Sequence, residues 1–487
     1  MKLSLLKLTL LCFLILTTTA YSQQQGLFFN FFGGGARSEG MGQAYIALSD
    51  DAAGGGWNPA GLYTHERTFM GFSYGFLMPR GDYQFYVNSG RQLDYGHEGN
   101  VGGISNWSII TPMRIKGHPF AFNISTTRFF DVYYRFGEKL FPWSDGDPND
   151  PLDDNDPNAL FERTGGINSF NLGFGTRLYK RFSMGVMANI YYGGVVTEED
   201  RVVRSDTLKD GEPYLIEVNS RVYDSTNYTG FNATVGFKYD GDNLKAGLMV
   251  RAPFTLKGES DTTLIMRSTG NGVELDSINS PFRTQTVYVD NQTSKIDIPL
   301  MVGFGLAYNV KENWIVAGDV EFRGFGGKKI QTLDSLRLTA AGDKEEYFSE
   351  FDPNWSDVWS LRFGTEYTFD TPIGKVPVRF GARKENLPEG TIVNYNLIYE
   401  GPKGPGGVPS PSNNDSTRVF YSYNFADNKT RGYSLSFGAG LHWDQILIDV
   451  AYTYTNYEQG IWISEDLIRS KNIWKNHHLN VSFTGYF

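Results

Sequence analysis

The feature that most constrains this chain is a series of fourteen segments in which apolar residues alternate with small or polar ones. They fall at 68–77, 102–111, 118–130, 167–179, 182–196, 229–240, 243–257, 293–309, 312–325, 358–369, 374–385, 431–443, 445–457 and 475–487. In the clearest, Phe231, Ala233, Val235, Phe237 and Tyr239 alternate with Asn232, Thr234, Gly236 and Lys238. A period of two sends successive side chains to opposite faces of a strand. The connections alternate strictly in length. Long ones cover 78–101, 131–166, 197–228, 258–292, 326–357, 386–430 and 458–474. Short ones are 112–117, Lys180-Arg181, Gly241-Asp242, Val310-Lys311, 370–373 and Asp444. A soluble sandwich has no reason to keep that parity, whereas a barrel with short turns at one membrane face and long loops at the other must. The expected class is all-β: a transmembrane antiparallel β-barrel of about fourteen strands with an N-terminal plug, or hatch, in its lumen.

Composition allows this without forcing it. A mean hydropathy of −0.35 looks soluble, but a wall that alternates lipid-facing with lumen-facing residues averages to an ordinary value. Residues 1–22 read as a signal peptide, with Lys2 and Lys7 before the apolar run Leu8–Leu16 and a small-residue site at Ala20-Tyr21-Ser22. The sole cysteine, Cys12, lies in that run. The mature chain therefore has no disulfide to rely on. Domain limits follow: 1–22 signal peptide, 23–67 plug, 68–487 barrel. Phe182, Tyr239, Tyr308, Trp314, Phe369 and Trp443 near the short turns, and Tyr192, Phe254, Phe322, Trp359, Tyr433 and Tyr454 near the opposite ends, are expected to form two interfacial girdles.

The plug segment is glycine-rich at both ends and too small to bury a core of its own. Pro59 fixes its own φ and pushes Asn58 towards extended geometry, which makes Trp57-Asn58-Pro59 a defined turn. The run GARSEGMGQAYIALSDDAAGGGWNPAGL, with Asn58, Pro59 and Ala60 as its signature, resembles the hatch of the FadL-type outer-membrane transporters and their PorV-type relatives. Segments 298–322, 360–383 and 434–457 are similar to later strand pairs of that family. The last strand, with Leu479, Val481, Phe483 and Phe487 on one face, resembles the signal read by the outer-membrane assembly machinery.

Enzyme motifs are weak. GFSYG at Gly71–Gly75 matches a nucleophile pattern, but that motif works only at a strand-to-helix turn, and here it lies within an alternating strand. The six histidines show no ligand spacing, and His477 and His478 point to opposite faces. The acidic stretch 145–158 lacks the EF-hand glycine and closing glutamate, Asp150 and Asp156 standing in those places. No metal, cofactor or catalytic residue is expected, and the chain reads as a non-enzyme.

Strand parity places Lys238, Lys245, Arg251, Arg362, Arg379 and Arg383 on the lumen face with Asp319, Glu321, Glu366 and Asp449. Buried charges must be paired or wet, so these read as ion pairs joining wall to plug. Alternatively, one or two arginines receive a ligand carboxylate. The resemblance implies passive, hatch-gated uptake of hydrophobic molecules such as long-chain fatty acids or aromatic hydrocarbons, with Gly40, Met41, Gly42, Asn58, Pro59 and Ala60 in the gating element. It also implies sideways exit by the third strand, where Pro119 or Asn123 could interrupt the ladder. The second reading is a PorV-like scaffold or shuttle for secreted proteins, and an outer-membrane phospholipase is third. Expected partners are outer-membrane lipid and lipopolysaccharide, a hydrophobic small molecule, the assembly machinery and, in the second reading, secreted protein cargo. Nucleic acid is not among them. The expected location is the bacterial outer membrane.

Overall fold

The computed structural model describes residues 34–64, 67–87, 92–138, 159–209, 212–274, 285–338, 344–352, 355–400, 418–462 and 468–487. The signal peptide, the first eleven residues of the expected plug and the acidic stretch 145–158 lie outside them.

Alternation is realised as one antiparallel sheet. Its strands are β1 (Phe69–Val87), β2 (Gln92–Glu98), β3 (Val101–Ile115), β4 (His118–Glu138), β5 (Ala159–Tyr179), β6 (Phe182–Lys209), β7 (Glu212–Asp240), β8 (Leu244–Arg251), β9 (Phe254–Gly270) and β10 (Val273–Glu274). They continue with β11 (Gln285–Ile298), β12 (Met301–Lys311), β13 (Trp314–Arg323), β14 (Ile330–Leu338), β15 (Lys344–Phe351), β16 (Val358–Thr371), β17 (Gly374–Glu400), β18 (Arg418–His442), β19 (Ile446–Trp462) and β20 (Ile468–Tyr486). β8 with β9 and β11 with β12 are single staves broken at Pro253 and Pro299. Proline cannot donate to a ladder, so a break there is natural. β2, β10, β14 and β15 belong to the outer hairpins, leaving fourteen staves. β1 pairs with β20 along its whole length, from Phe69↔Tyr486 to Val87↔Ile468, which closes the barrel.

The fourteen spans match these staves, but three details differ. Much of what reads as long loop is strand: β6 and β7 run 28 and 29 residues, against the ~9–11 that cross a bilayer. Beyond the membrane both faces are wet, so polar residues occupy both and the alternation fades. The turn expected at Val310-Lys311 lies at Glu312-Asn313, because Lys311 pairs with Trp314. The 112–117 connection contracts to Lys116-Gly117, whose φ of 50° and 83° make the mirror-image two-residue turn that suits strand twist.

Outside, apolar side chains such as Phe231, Phe304, Leu361 and Phe437 are exposed to lipid, and the turn-end aromatics Phe182, Tyr308, Trp314, Phe369 and Trp443 are exposed as expected. Phe254 is the exception. After the break at Pro253 it turns into the lumen and stacks on Tyr191 with ring centroids 4.4 Å apart.

Candidate functional site: the plug and its seat

Residues 34–64 fill the lumen as a one-turn helix α1 (Ala36–Gly40), tight turns, a second short helix α2 (Gly54–Trp57) and a 3-10 turn (Pro59–Thr64). Met41, Ala44, Tyr45, Ile46, Trp57, Asn58 and Ala60 are wholly buried. The plug approaches so closely because one of the two backbones is glycine at the tightest contacts. A methyl on Gly364 would overlap the Met41 carbonyl, on Gly381 the Gly42 amide, and on Gly185 the Pro59 carbonyl. Gly40 lies over Gly438. Gly42 needs its own lack of a side chain twice, for φ of 62° and for contact with the backbone of Phe363 and Ala382.

One side of the seat is charged. Arg37 of the plug grips Glu366 bidentately (2.9 and 3.1 Å) and Asp50 at 2.6 Å. Glu366 also accepts from Arg379 at 2.5 Å, and Arg379 reaches Asp449 at 2.6 Å. Further outward, Glu321 pairs with Arg323 (2.6 Å) and Arg362 (3.1 Å), Arg323 with Glu385 (2.6 Å), and Arg383 with Glu385 (3.1 Å). Arg383 also donates to Gln43 of the plug. Asp319 takes two plug amides instead of a cation, those of Tyr45 (2.7 Å) and Ile46 (2.9 Å). Arg362, Arg379 and Arg383 are thus brought together with Glu321 and Glu366, as parity implied. Arg251 stands apart, donating to the Gly56 carbonyl (3.1 Å) and Thr234 (3.3 Å). Lys238 caps the Leu48 carbonyl at 2.7 Å.

Asn58 is extended (φ −154°, ψ 107°). Its Oδ1 accepts from the Ala60 amide, and its Nδ2 donates both to Ile46 within the plug and to Phe237 of the wall, all at 3.1 Å. One amide therefore closes the turn and docks it. Beneath the plug, a cavity of about 60 Å³ is lined by Arg37, Asp50, Asp51, His442 and Asp449, and a wider opening of about 230 Å³ includes Glu312, Asp370 and Lys375. Burial pushes the Asp51 carboxyl up to about 6, against the attraction of Arg37 and with help from Asp50.

The opposite side is neutral. At plug level the lumen faces of β3 to β6 carry Asn106, Ser108, Asn123, Ser125, Asn171, Ser183 and Asn189, all buried. The plug meets them through Ala52, Gly55, Pro59 and Leu62, and Ser108 donates to the Ala52 carbonyl at 2.6 Å. Outward of this layer lies an apolar cluster within the lumen. Phe129, Phe130, Ile167, Tyr191, Leu256, Ile296, Phe325 and Trp355 form one buried cluster that includes Met41, Tyr45 and Trp57 of the plug.

The wall is incomplete on this neutral side. The β3–β4 ladder runs unshifted from Ile115↔His118 to Asn106↔Thr127 and goes no further, although both strands continue. β3 shifts register against β1 beside Ser105, and β4 shifts against β5 beside Phe129. Pro119 and Asn123 do not interrupt it; they pair with Arg114 and Ile110. Pro119 is one residue into its strand, where a missing donor is tolerated.

Ser73 of the GFSYG segment sits mid-strand and bonds Ser482 at 2.8 Å, so the turn a nucleophile would need is absent there. His478 faces inward to Glu39 (3.0 Å) and His477 outward to Tyr452 (2.6 Å). Among the described residues no group of three or more His, Cys, Asp or Glu could hold a metal. Sequence reasoning missed Arg37, Gln43, Arg323 and Glu385. Arg37 was findable: it is the one lysine or arginine between residues 34 and 64.

Fourteen staves closed around an N-terminal plug define an integral barrel of the bacterial outer membrane. Solved structures share this fold. A FadL homologue of Pseudomonas aeruginosa matches at 12% identity over 92% of this chain and 97% of that one, with a TM-score of 0.58. The Pseudomonas putida toluene transporter TodX matches at 13%, 94%, 99% and 0.55, and the monoaromatic hydrocarbon channel CymD at 14%, 94%, 99% and 0.52. A family model described as BamG matches residues 147–371. No curated protein matches the chain.

Proposed function

We propose that this barrel is a channel for passive uptake of hydrophobic small molecules, such as long-chain fatty acids or aromatic hydrocarbons, gated by movement of the plug. The observation that carries the reading is the apolar cluster outward of the plug, which leads to the unpaired β3–β4 seam on the side where, among the described residues, the plug makes no ion pair. A solute entering from outside would meet aromatic surface first. Downward exit would take it past Arg37, Asp50 and Glu366, at a desolvation cost an apolar molecule cannot offset. A sideways exit into lipid avoids that cost. Gly40, Met41 and Gly42 act on the fixed side of the plug, and Asn58, Pro59 and Ala60 in the turn that must yield. Arg251, Arg362, Arg379, Arg383, Asp319, Glu321 and Glu366 serve as plug anchors in this reading.

Partners follow from the surfaces: outer-membrane lipid on the apolar band, lipopolysaccharide at its outer rim, and the assembly machinery at the strand ending in Phe487. A scaffold for secreted proteins is the second reading. It is favoured by the long outer hairpins, in which β6 and β7 run 28 and 29 residues.

The test is Asn58→Ala with Pro59→Ala, scored for uptake of a labelled long-chain fatty acid and for surface display of secreted proteins. Altered uptake with normal display is expected. Normal uptake with lost surface proteins would replace the channel reading by the scaffold.

A further inference from the structure

We propose that Asn106 and Asn171 form a seat for the uncharged, hydrogen-bonding head group of an apolar solute, and that alcohols and phenols are the solute class it selects. The proposal rests on the channel reading and adds a chemistry to it. Both side chains lie on the lumen face and are 2% exposed. They bracket one hydroxyl: Thr127 Oγ1 donates to Asn106 Oδ1 at 3.4 Å and accepts from Asn171 Nδ2 at 3.3 Å, a donor that also reaches Ser125. One atom of each amide is left over, Asn106 Nδ2 as a donor and Asn171 Oδ1 as an acceptor, both buried and without a partner. Buried polar atoms are nearly always satisfied, so such a pair marks a place where something else binds.

Position says what. Asn106↔Thr127 is the last rung of the β3–β4 ladder, so the seat lies at the root of the seam. The next lumen-facing residues outward are Phe129 on β4 and Ile167 on β5, and Tyr191 stands opposite Ser169 on β6. An apolar body resting on that cluster would bring its polar end to the amides. A hydroxyl suits them in both senses, donating to Asn171 Oδ1 and accepting from Asn106 Nδ2. A carboxylate does not. The lumen faces of β3 to β6 carry no cation at this level, and nearby Arg128 is taken by Asp131 (2.6 Å), Asn168 (3.2 Å) and the Gly165 carbonyl (2.9 Å). An acceptor facing an anion is repulsive.

The experiment compares 4-hexylphenol with hexylbenzene for binding to the purified full-length barrel in detergent, read by quenching of its tryptophan fluorescence. The wild type is expected to prefer the phenol by about tenfold beyond the ratio at which the two partition into protein-free micelles, the scale of one or two hydrogen bonds to neutral buried partners. Asn106→Leu with Asn171→Leu should abolish the preference while leaving hexylbenzene affinity unchanged. If that pair does not give a heat-modifiable barrel, Asn171→Ser is read the same way, with a partial loss expected. Equal affinities in the wild type would mean an ordered water only and overturn the seat while the channel stands. Parallel loss of both ligands in the variant would make the amides structural and overturn it too. Binding of neither ligand to the wild type would take the channel reading down with it.

Discussion

The two sides of the plug's seat are built from different chemistry. From β12 to β20 the wall holds the plug through charged groups: Glu366 takes Arg37, Asp319 takes two plug amides, and Arg362 and Arg379 hold Glu321, Glu366 and Asp449 in place within the wall. From β3 to β6 it offers amides, hydroxyls and glycines, and takes one plug carbonyl. A buried ion pair is weak evidence for net stability, since desolvation offsets much of its attraction. It does fix geometry, because losing one partner strands the other. The charged side therefore sets where the plug sits, and the neutral side can separate without exposing an uncompensated charge. On the proposed gating the plug moves as a hinged flap whose free edge faces the open seam.

The strongest challenge to that comparison is Glu366→Ala, which leaves Arg37 and Arg379 sharing the remaining carboxylates. Plug seating should weaken by about 3–5 kcal/mol, seen as entry of large antibiotics and fast hydrogen exchange across residues 36–50. A tight plug in this variant would mean the charges are incidental. Next is Gly381→Ala, whose methyl would displace Gly42; overpacking of this kind costs about 1–3 kcal/mol. Gly103→Ala, where a methyl meets nothing within 4 Å, is the matched control and should be silent.

A subtler effect comes from pH. Asp51 has its pKa raised in the folded plug, so folding favours its protonated form. That contribution is complete below the ordinary carboxylate range and is lost as pH rises through about 6. Protection of the plug amides, corrected for the intrinsic rise of exchange with pH, should be lower at pH 7.5 than at pH 5, and Asp51→Asn should remove the difference. Smallest is Ser108→Ala on the neutral side, which deletes one neutral hydrogen bond worth about 1 kcal/mol. It should ease solute passage slightly without letting antibiotics through. A leak as large as that of Glu366→Ala would erase the distinction between the sides.

Much of this was legible in sequence because a barrel wall has a strict period. Parity alone put Lys238, Arg251, Asp319, Glu321, Arg362, Glu366, Arg379 and Asp449 on the lumen face, where all are buried, with Arg383 half-buried beside them. Parity failed where the period slips. Phe254 follows a proline break and changes face, and Ser105 and Phe129 sit at register shifts that no residue type announces. Hairpins beyond the membrane lost their signal because water on both faces removes the reason to alternate. The neutral seat was visible but unread: Asn106 and Ser108, then Asn123, Ser125 and Thr127, repeat every second residue.

The closing pair β1–β20 joins the two ends of the chain, and β1 begins directly after the plug, with the Phe487 amide bonded to the Thr68 carbonyl at 2.8 Å. Among the described strands no pairing spans more sequence, so its loop-closure entropy is the largest of the ladders and it is expected to form last. The plug hangs from that final strand while its bed of wall glycines is still open at the side. It must be laid in place before the seam shuts, since thirty tightly fitted residues cannot be threaded in afterwards. Assembly is then a race between seating and closure, and a variant that slows seating would yield barrels that look complete from outside yet are empty within.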